Sequence, residues 1–296
     1  TNREMQLDTY SLFVPKLRDV LLKGSLAGEI AREISRWKDE KKAAGARLAL
    51  AMLRNFSGDM RADSKEAALA GAFLQSATRD IFQDELGPDD SRAWKSFLIA
   101  DNESYNATCD HLLVRGDESP FWDDIHTPEK ETKAQIIALS LADAVAFLES
   151  TLGDDTGRWT WGALHTSTWE TDTSQMAPHF GFIERTALRS LWSYFNRGPY
   201  PAGGDMFTLN VSMYMMGRNF NTWLIPSMRM IVDFSKEEPM LAVNSSGQSD
   251  NPSSPHYDDG IGAWRDGKYI PFPFRDAAVR DQYREVMQFR PSAIVR

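Results

Sequence analysis

Residues 196–205 read NRGPYPAGGD and open a stretch, ending at Phe274, that decides the fold of this 296-residue chain. An apolar run follows at 228–232, and the segments between such runs are rich in Gly, Pro, Asn and Ser, as in GQSDNP at 247–252. Short apolar runs separated by turn-forming residues are typical of sheet strands. The stretch therefore predicts antiparallel strands joined by tight turns, with one strand running from Phe207 to Tyr214.

Upstream of this stretch, apolar residues recur at helical spacing, which predicts a largely helical N-terminal part. Asp63 is expected to cap one helix, with Glu66 reaching back to its amide and Gly87 ending the helix. Another helix is expected to begin at Thr127-Pro128, because proline suits the first helical position, and to end at Gly153. The other predicted helices are Met5–Leu22, Ala27–Trp37, Ala43–Phe56, two segments within 89–115, and Asp276–Gln288.

The change from helical to strand patterns near Gly153 predicts an α+β fold. We expect a mainly helical lobe at 1–156, followed by a strand-rich segment at 157–296 that includes the C-terminal helix. Strands that find no neighbour within the chain would have open edges. Such edges favour pairing with another polypeptide or self-association.

The composition is that of a globular protein, and its charge argues against several classes of partner. Hydrophobic residues make up 42% of the chain and charged residues 25%, and the formal net charge is −9. An acidic chain is a poor partner for nucleic acid and for an anionic membrane surface. No apolar run predicts a membrane span, and the polar segment Thr1–Asp8 predicts no secretion signal. The one cysteine, Cys109, excludes an internal disulfide and a multi-cysteine metal site.

Four motifs follow one another along the chain: WTWGALH at 159–165, NRGPYPAGGD at 196–205, GQSDNP at 247–252 and SPHYDD at 254–259. In their order and spacing they resemble the C-terminal portion of the β chain of penicillin-acylase (penicillin amidase) enzymes, which are N-terminal-nucleophile hydrolases. Residues 53–86 are also similar, although Phe56-Ser57-Gly58 stands where the family usually has a Trp-Asp-Gly turn. This departure changes a packing residue more than any chemistry.

The resemblance implies a fold, an activity and partners. The strands would join the sheets of an αββα sandwich, and the complete enzyme would hydrolyse linear acyl amides, of the β-lactam side-chain or acyl-homoserine lactone type. In the family, the first residue of the β chain is the nucleophile and its own α-amino group is the base. The implied partners are the α chain and the first part of the β chain, with an acyl-amide small molecule as substrate. A periplasmic or extracellular location is implied as well.

No catalytic residue can be carried over to this chain, because the resemblance begins in the middle of the family's β chain. The chain alone is therefore expected to be inactive and to hold no cofactor or metal, and any calcium ion would lie elsewhere in the complete enzyme. Gly247 is expected to permit a positive φ, and Gln248 to bridge backbone groups. The residues expected near the site, with a structural role, are Asn210, Gly247, Gln248, Ser249, His256, Tyr257 and Asp258.

Other residues offer chemistry in less specific patterns. Thr1 could act as an N-terminal nucleophile, but it precedes the polar entry to a helix, which favours a cleavage or truncation boundary. His256 with Asp258, and the Asp123-Asp124 pair with His126, could bind a metal. A turn that is hydrogen-bonded by its own side chains is the favoured interpretation of both. His165 is interpreted as a strand histidine with satisfied hydrogen bonds rather than a catalyst.

Three functional hypotheses follow from these observations. The first is the C-terminal part of an acylase whose nucleophile lies on other sequence. The alternative is a non-catalytic binding or assembly module on the acylase fold, which the Phe56-Ser57 departure permits. The third is a small self-contained hydrolase that uses Thr1.

Overall fold

The computed structural model describes residues 9–103, 107–171 and 194–283, with Trp192, Met287, Phe289 and Arg290. Its contacts divide the chain into two compact units, with the division between Ile225 and Pro226. The first unit is mainly helical, and the second is built on a small antiparallel sheet.

Helices form most of the first unit, close to where helical spacing predicts them. Among the described residues, the first helix begins at Val14, later than predicted, with Pro15 in its first turn; residues 1–8 lie outside the described part of the chain. Short 3-10 turns lie at Pro120–Trp122 and Thr156–Arg158. The helices are α1 Val14–Leu22, α2 Gly24–Arg36, α3 Glu40–Asn55, α4 Lys65–Leu86, α5 Arg92–Glu103, α6 Ala107–Arg115, α7 Lys133–Leu152 and the single turn α8 Trp161–Leu164.

The helices α4 and α7 pack against each other at the centre of this unit, and most of their side chains between the first and last turns are buried. Gly87 and Gly153 stand at their C-terminal ends with φ values of 84° and 88°. Glycine adopts this left-handed backbone without the steric cost that a Cβ would bring. Both predicted helix ends are therefore confirmed.

The predicted N-terminal ends of these two helices are wrong. Ser64 caps α4, since its hydroxyl accepts a hydrogen bond from the Ala67 N–H at 3.1 Å. Asp63 stands one residue too early to do so. The helix α7 begins after Thr132, which forms a capping box with Gln135. A reciprocal pair of this kind satisfies two backbone amides at once and so favours a helix start at this position.

The helix α7 is long and apolar enough, by length and composition, to cross a membrane. Half of its 18-residue apolar window is buried inside the protein, and the helix packs against α3 and α4. The central helix of a globular core meets the same criteria of length and composition. The sequence patterns predict this helix but no apolar run long enough to span a membrane, and the expectation of no membrane partner stays a prediction.

A buried polar contact joins α4 to α7. The Ser140 hydroxyl lies 2.7 Å from Asp80 Oδ2 and 2.9 Å from the Ile136 carbonyl oxygen. Burial raises the pKa of Asp80 to about 7. One hydroxyl hydrogen cannot serve both acceptors fully, whereas a protonated Asp80 can donate to Ser140 while Ser140 donates to Ile136.

The strands of the first unit form two antiparallel pairs. The strand β1 Thr166–Trp169 pairs with β2 Arg197–Pro201, and β3 Met213–Tyr214 pairs with β4 Thr222–Leu224. The strand predicted from Phe207 is therefore wrong except at its last two residues.

The polar residues that precede β3 explain this difference. The Thr208 hydroxyl accepts from the Asp205 N–H at 3.0 Å, and an Asp205 carboxylate oxygen accepts from the Phe207 N–H at 2.7 Å. Local side-chain hydrogen bonds of this kind hold the backbone in turns and compete with strand pairing.

The second unit contains a sheet of order β5-β6-β7, with β5 Met228–Val232, β6 Met240–Asn244 and β7 Ile270–Pro271. The helix α9 Asp259–Arg265 packs against β6. Its Trp264 indole N–H donates to the Pro226 carbonyl oxygen at 2.9 Å. The helix α10 covers Asp276–Gln282 of the predicted 276–288, of which 284–286 and 288 lie outside the described residues.

This architecture confirms the predicted α+β class, with helices first and short antiparallel strands after them. The contacts divide the chain after Ile225, and the predicted boundary between 156 and 157 stays a prediction.

Candidate functional site

The WTWGALH segment joins the helical core of the first unit to its strands. The Trp161 indole N–H donates to the Gly204 carbonyl oxygen at 2.9 Å, and the side chain is fully buried. Its ring lies against Gly71 of α4, where any Cβ would overlap the indole. Gly162 donates its N–H to the Ala62 carbonyl oxygen at 2.7 Å and has no room for a side chain either. The motif thus brings the Trp161 indole against the backbone of α4 at Gly71, and the Gly162 backbone against Ala62.

His165 ends the same motif and has both ring nitrogens engaged. Its Nδ1 lies 2.7 Å from the Phe220 carbonyl oxygen, and its Nε2 lies 2.8 Å from Ser212 Oγ. A carbonyl oxygen only accepts, so Nδ1 carries the hydrogen and the Ser212 hydroxyl donates to Nε2. The ring also stacks on Trp161, with centroids 4.6 Å apart.

Burial lowers the pKa of His165 to about 4, so the imidazole is neutral at physiological pH. With Nδ1 donating, Nε2 accepting and the side chain fully buried, His165 positions the 212–222 segment. The side chain is hydrogen-bonded as interpreted from sequence, although the residue lies just before β1 rather than within it.

A second buried group anchors the loop after NRGPYPAGGD. The Ser11 hydroxyl donates to Asp205 Oδ2 at 2.7 Å across 194 positions of sequence. Burial raises the pKa of Asp205 to about 6. The contact ties the start of the described chain to the loop that leads into β3, and the sequence analysis missed it, because nothing local links the two residues.

Two further carboxyl groups, on α5 and α6, have raised pKa values. Burial is the main cause for Asp101 and for Asp110, whose pKa rises to about 8 with a further contribution from the nearby negative charges of Asp101 and Asp205. Burial also raises the pKa of the Cys109 thiol and of the Tyr214 hydroxyl. Burial thus favours the neutral forms of the Cys109 thiol and the Tyr214 hydroxyl, which suits a packed interior better than nucleophilic chemistry.

In the second unit, backbone hydrogen bonds bring together two of the motifs predicted to lie near a site. The Gly247 N–H donates to the Tyr257 carbonyl oxygen at 3.2 Å. The Gln248 and Ser249 N–H groups both donate to the His256 carbonyl oxygen, at 2.7 and 3.0 Å. Residues 247–249 (GQS) and 256–257 (HY) thus form one paired turn. Backbone hydrogen bonds make the connection that the Gln248 side chain was expected to make.

The reason for glycine at 247 differs from the one predicted. Its φ does not lie in the left-handed region. A Cβ there would instead collide with the backbone of His256 and Tyr257. Gly260 is restricted in a similar way, because a Cβ would overlap the Ser246 carbonyl oxygen. At Gly247 and at Gly260, close packing of the neighbouring backbone excludes a side chain, rather than an unusual backbone dihedral.

The histidine–aspartate pairs lie in turns with local hydrogen bonds. His256 Nδ1 lies 2.8 Å from an oxygen of Asp259, the neighbour of the predicted Asp258, and the imidazole is exposed. The His126 N–H donates to Asp124 Oδ1 at 3.0 Å. Within the described ranges, no group of three or more His, Cys, Asp or Glu side chains is arranged to hold a metal ion.

Asn210 lies in the other unit from GQS and HY, and its carbonyl oxygen is 2.7 Å from Thr208 Oγ1. Thr1 lies outside the described residues. The buried tryptophans Trp94, Trp122 and Trp159 belong to the core of the first unit. Whether any of the predicted residues adjoins a catalytic centre stays a prediction.

Comparison with known proteins decides the family. The sequence profile described as penicillin amidase matches residues 1–281. The chain belongs to the penicillin amidase family. The match bears out the resemblance inferred from the sequence motifs, and the α+β arrangement of the chain is consistent with the N-terminal-nucleophile hydrolase fold of this family.

The curated relatives that the chain matches carry the name acyl-homoserine lactone acylase QuiP. The protein from Pseudomonas aeruginosa is 52% identical over 271 residues, which are 92% of this chain and 32% of that protein. Those from Pseudomonas syringae pv. syringae and Pseudomonas fluorescens are 41% and 40% identical, over 91% and 92% of this chain and 31% of theirs. The chain thus spans about a third of the length of the curated relatives it matches.

Proposed function

We propose that this chain is the C-terminal part of an acylase that hydrolyses linear acyl amides, with N-acyl-homoserine lactones as the substrate class. The observation that carries the proposal is the family match over residues 1–281, together with 52% identity to a protein named as an acyl-homoserine lactone acylase. The nucleophile is supplied by polypeptide beyond this chain. The described residues contribute support: a packed helical core, and turns that hold strands in register.

The second unit supports the part of the proposal that concerns further polypeptide. Alternate residues of a strand point to opposite faces of its sheet. The Arg229 guanidinium lies 3.9 Å from the Trp264 ring centroid, so this face of β5 is the one covered by α9. Met228, Met230 and Val232 lie on the opposite face and are 58, 52 and 41% exposed.

Residues of β7 extend this apolar face. Ile270 is paired with Ala242 of β6 and is 58% exposed, and the neighbouring Phe272 is 50% exposed. A contiguous apolar face on a sheet whose other side carries a helix is the surface that a second layer covers. We propose that the remainder of the acylase, its α chain and the first part of its β chain, covers it.

The substrate class is tested with the complete protein. We expect it to release homoserine lactone from N-octanoyl-homoserine lactone, with the acid product detected by mass spectrometry. A β-lactam side-chain amide is the comparison substrate. Hydrolysis of the β-lactam amide alone would reject the lactone class but keep the acylase reaction, and hydrolysis of neither would reject the reaction itself.

The assembly part is tested by Met230→Lys, with Met287→Lys as the matched control on an 80% exposed methionine. A lysine on the bare sheet face would have to be buried on assembly, so we expect association with the remaining polypeptide to weaken by roughly tenfold or more. The control is expected to bind normally. Tight association of the wild-type chain without turnover in the assembled protein would favour the non-catalytic assembly module instead.

The complete protein is further proposed to act in the periplasm or outside the cell, on the resemblance to exported acylases. Fractionation of cells that express the complete gene tests this. Activity confined to the cytoplasmic fraction would contradict it.

A further inference from the structure

A cleft in the first unit has the character of a ligand site. It has a volume of about 430 Å³ and lies between α4, α5 and the loop that follows β3. This volume falls in the range of small-molecule pockets, which are mostly apolar with a few polar groups. The residues that determine its chemistry are Arg79, Trp94, Lys95, Leu98, Met215 and Arg218.

The loop wall of the cleft is held in place by a buried hydrogen bond. The Gly217 N–H donates to Gln75 Oε1 of α4 at 2.8 Å. Gly217 has a φ of 78°, and a Cβ would come within 2.7 Å of Leu98 and 3.2 Å of Trp94. The loop is therefore pressed against α5, and the cleft is preformed rather than assembled around a ligand.

The charges in the cleft do not balance. Arg79 is paired with Asp89 at 2.8 Å. Lys95 and Arg218 have no carboxylate within 4.0 Å among the described residues, and the one side-chain hydrogen bond of Arg218 is to Met215 Sδ, at 3.6 Å. Two unbalanced cations lie together in a chain whose net charge is −9. Such a site attracts anions.

The remaining walls are apolar. Leu98 and Trp94 are buried in the core with one side towards the cleft, and Met215 adds a flexible thioether. A cationic rim above apolar walls matches an anion that carries a hydrocarbon body. We propose that this cleft binds an amphiphilic monocarboxylate, of the class of medium-chain fatty acids, with the carboxylate at Arg218 and Lys95 and the alkyl chain against Trp94, Leu98 and Met215.

An acid of this class is also what hydrolysis of a linear acyl amide releases, but binding in the cleft depends only on the cleft's own residues. Binding can therefore be tested separately from the proposed acylase reaction.

Titration of the full 296-residue chain with [1-13C]octanoate, followed by NMR of the carboxyl carbon, tests the proposal. We expect saturable binding that is weaker for acetate, which lacks the alkyl chain, and absent for octylammonium, which has the wrong charge. Arg218→Gln and Lys95→Gln should each weaken octanoate binding by about fivefold, the upper range for a solvent-exposed ion pair. The exposed Arg32 of α2 provides the matched control, and Arg32→Gln should leave binding unchanged.

Several results would overturn the proposal. One is the absence of saturable octanoate binding by the wild-type chain. Another is equal affinity in the wild type and in a chain that carries both glutamine substitutions. A third is complete displacement of octanoate by the remaining polypeptide, since the cleft would then receive an acidic side chain of the same enzyme rather than a small molecule.

Discussion

The two units of this chain differ in how they are stabilised. The first unit, up to Ile225, contains a continuous hydrophobic core of helices whose buried side chains include several tryptophans. In the second unit, the buried apolar side chains among the described residues are Ala242, Val243, Ile261 and Trp264. So small a set cannot offset the conformational entropy that even a small sheet loses on folding. The difference supports the proposal that polypeptide from elsewhere covers the second unit, whereas the first unit carries its own core.

The largest expected effect tests the core of the first unit. Trp161→Ala removes a fully buried indole and leaves the Gly204 carbonyl oxygen without its donor. We expect the free energy of unfolding to fall by about 4 kcal/mol, as for other large-to-small core substitutions. Urea unfolding measures it. Trp223→Ala, at a 53% exposed tryptophan, is the control and should change stability by no more than about 0.5 kcal/mol. Equal losses of stability in Trp161→Ala and Trp223→Ala would show that the buried Trp161 contributes no more to the core than an exposed tryptophan does.

The next prediction concerns the buried imidazole of the same unit. The folded pKa of His165, about 4, lies below the ordinary value of 6.5, so the unfolded chain binds more protons between these values. Stability is therefore lost as the pH falls from 6.5 towards 4, by about 3 kcal/mol from this group. The free energy of unfolding is measured for the wild type and for His165→Asn at pH 7 and at pH 4. Between these two pH values the wild type should lose about 3 kcal/mol more than the variant. Carboxyl groups contribute equally to both proteins and cancel. An imidazole that titrates near 6.5 by NMR in the folded chain would contradict the account.

A smaller effect of opposite sign is expected at Asp80. Its pKa is raised to about 7 in the folded chain, so its contribution is fully present at low pH and is lost as the pH rises through 7. We expect the stability advantage of Asp80→Asn over the wild type to be roughly 2.7 kcal/mol larger at pH 9 than at pH 5, because its amide can donate to Ser140 at any pH. Thermal unfolding at the two pH values is the measurement. A pH-independent difference would show that Asp80 is already ionised at pH 5.

The smallest effect tests the second unit. Gly247→Ala places a methyl group against the His256 and Tyr257 backbone, and we expect the paired turn to open more easily by roughly 1–2 kcal/mol. Hydrogen exchange of the Gln248 and Ser249 amides reports this directly. Gly262→Ala is the matched control, because nothing lies within 4 Å of a Cβ at that position of α9. Unchanged exchange in Gly247→Ala would mean that this unit does not depend on the turn.

How far the sequence predicted the structure depends on the range of the interaction concerned. Gly87 and Gly153 were assigned from local rules, and both end their helices. Asp63 was predicted to cap α4, but its neighbour Ser64 does so, because the local sequence pattern does not distinguish two adjacent residues that can both act as a cap. The strand expected from Phe207 failed because side-chain hydrogen bonds outweighed an apolar pattern.

The candidate site shows the same limit. Motif spacing identified the family and the importance of WTWGALH and GQS. It could not show that Asp205 meets Ser11, or that Gly247 is required by the backbone of His256. Contacts of this kind join residues that only the folded chain brings together.

The central claim is that the reacting half of the acylase lies outside this chain. Hydrolysis of a chromogenic acyl amide by the purified chain, with the complete protein measured in parallel, tests it most directly. We predict no turnover by the chain and clear turnover by the complete protein. Turnover by the chain alone that is abolished by Thr1→Ala would contradict the claim.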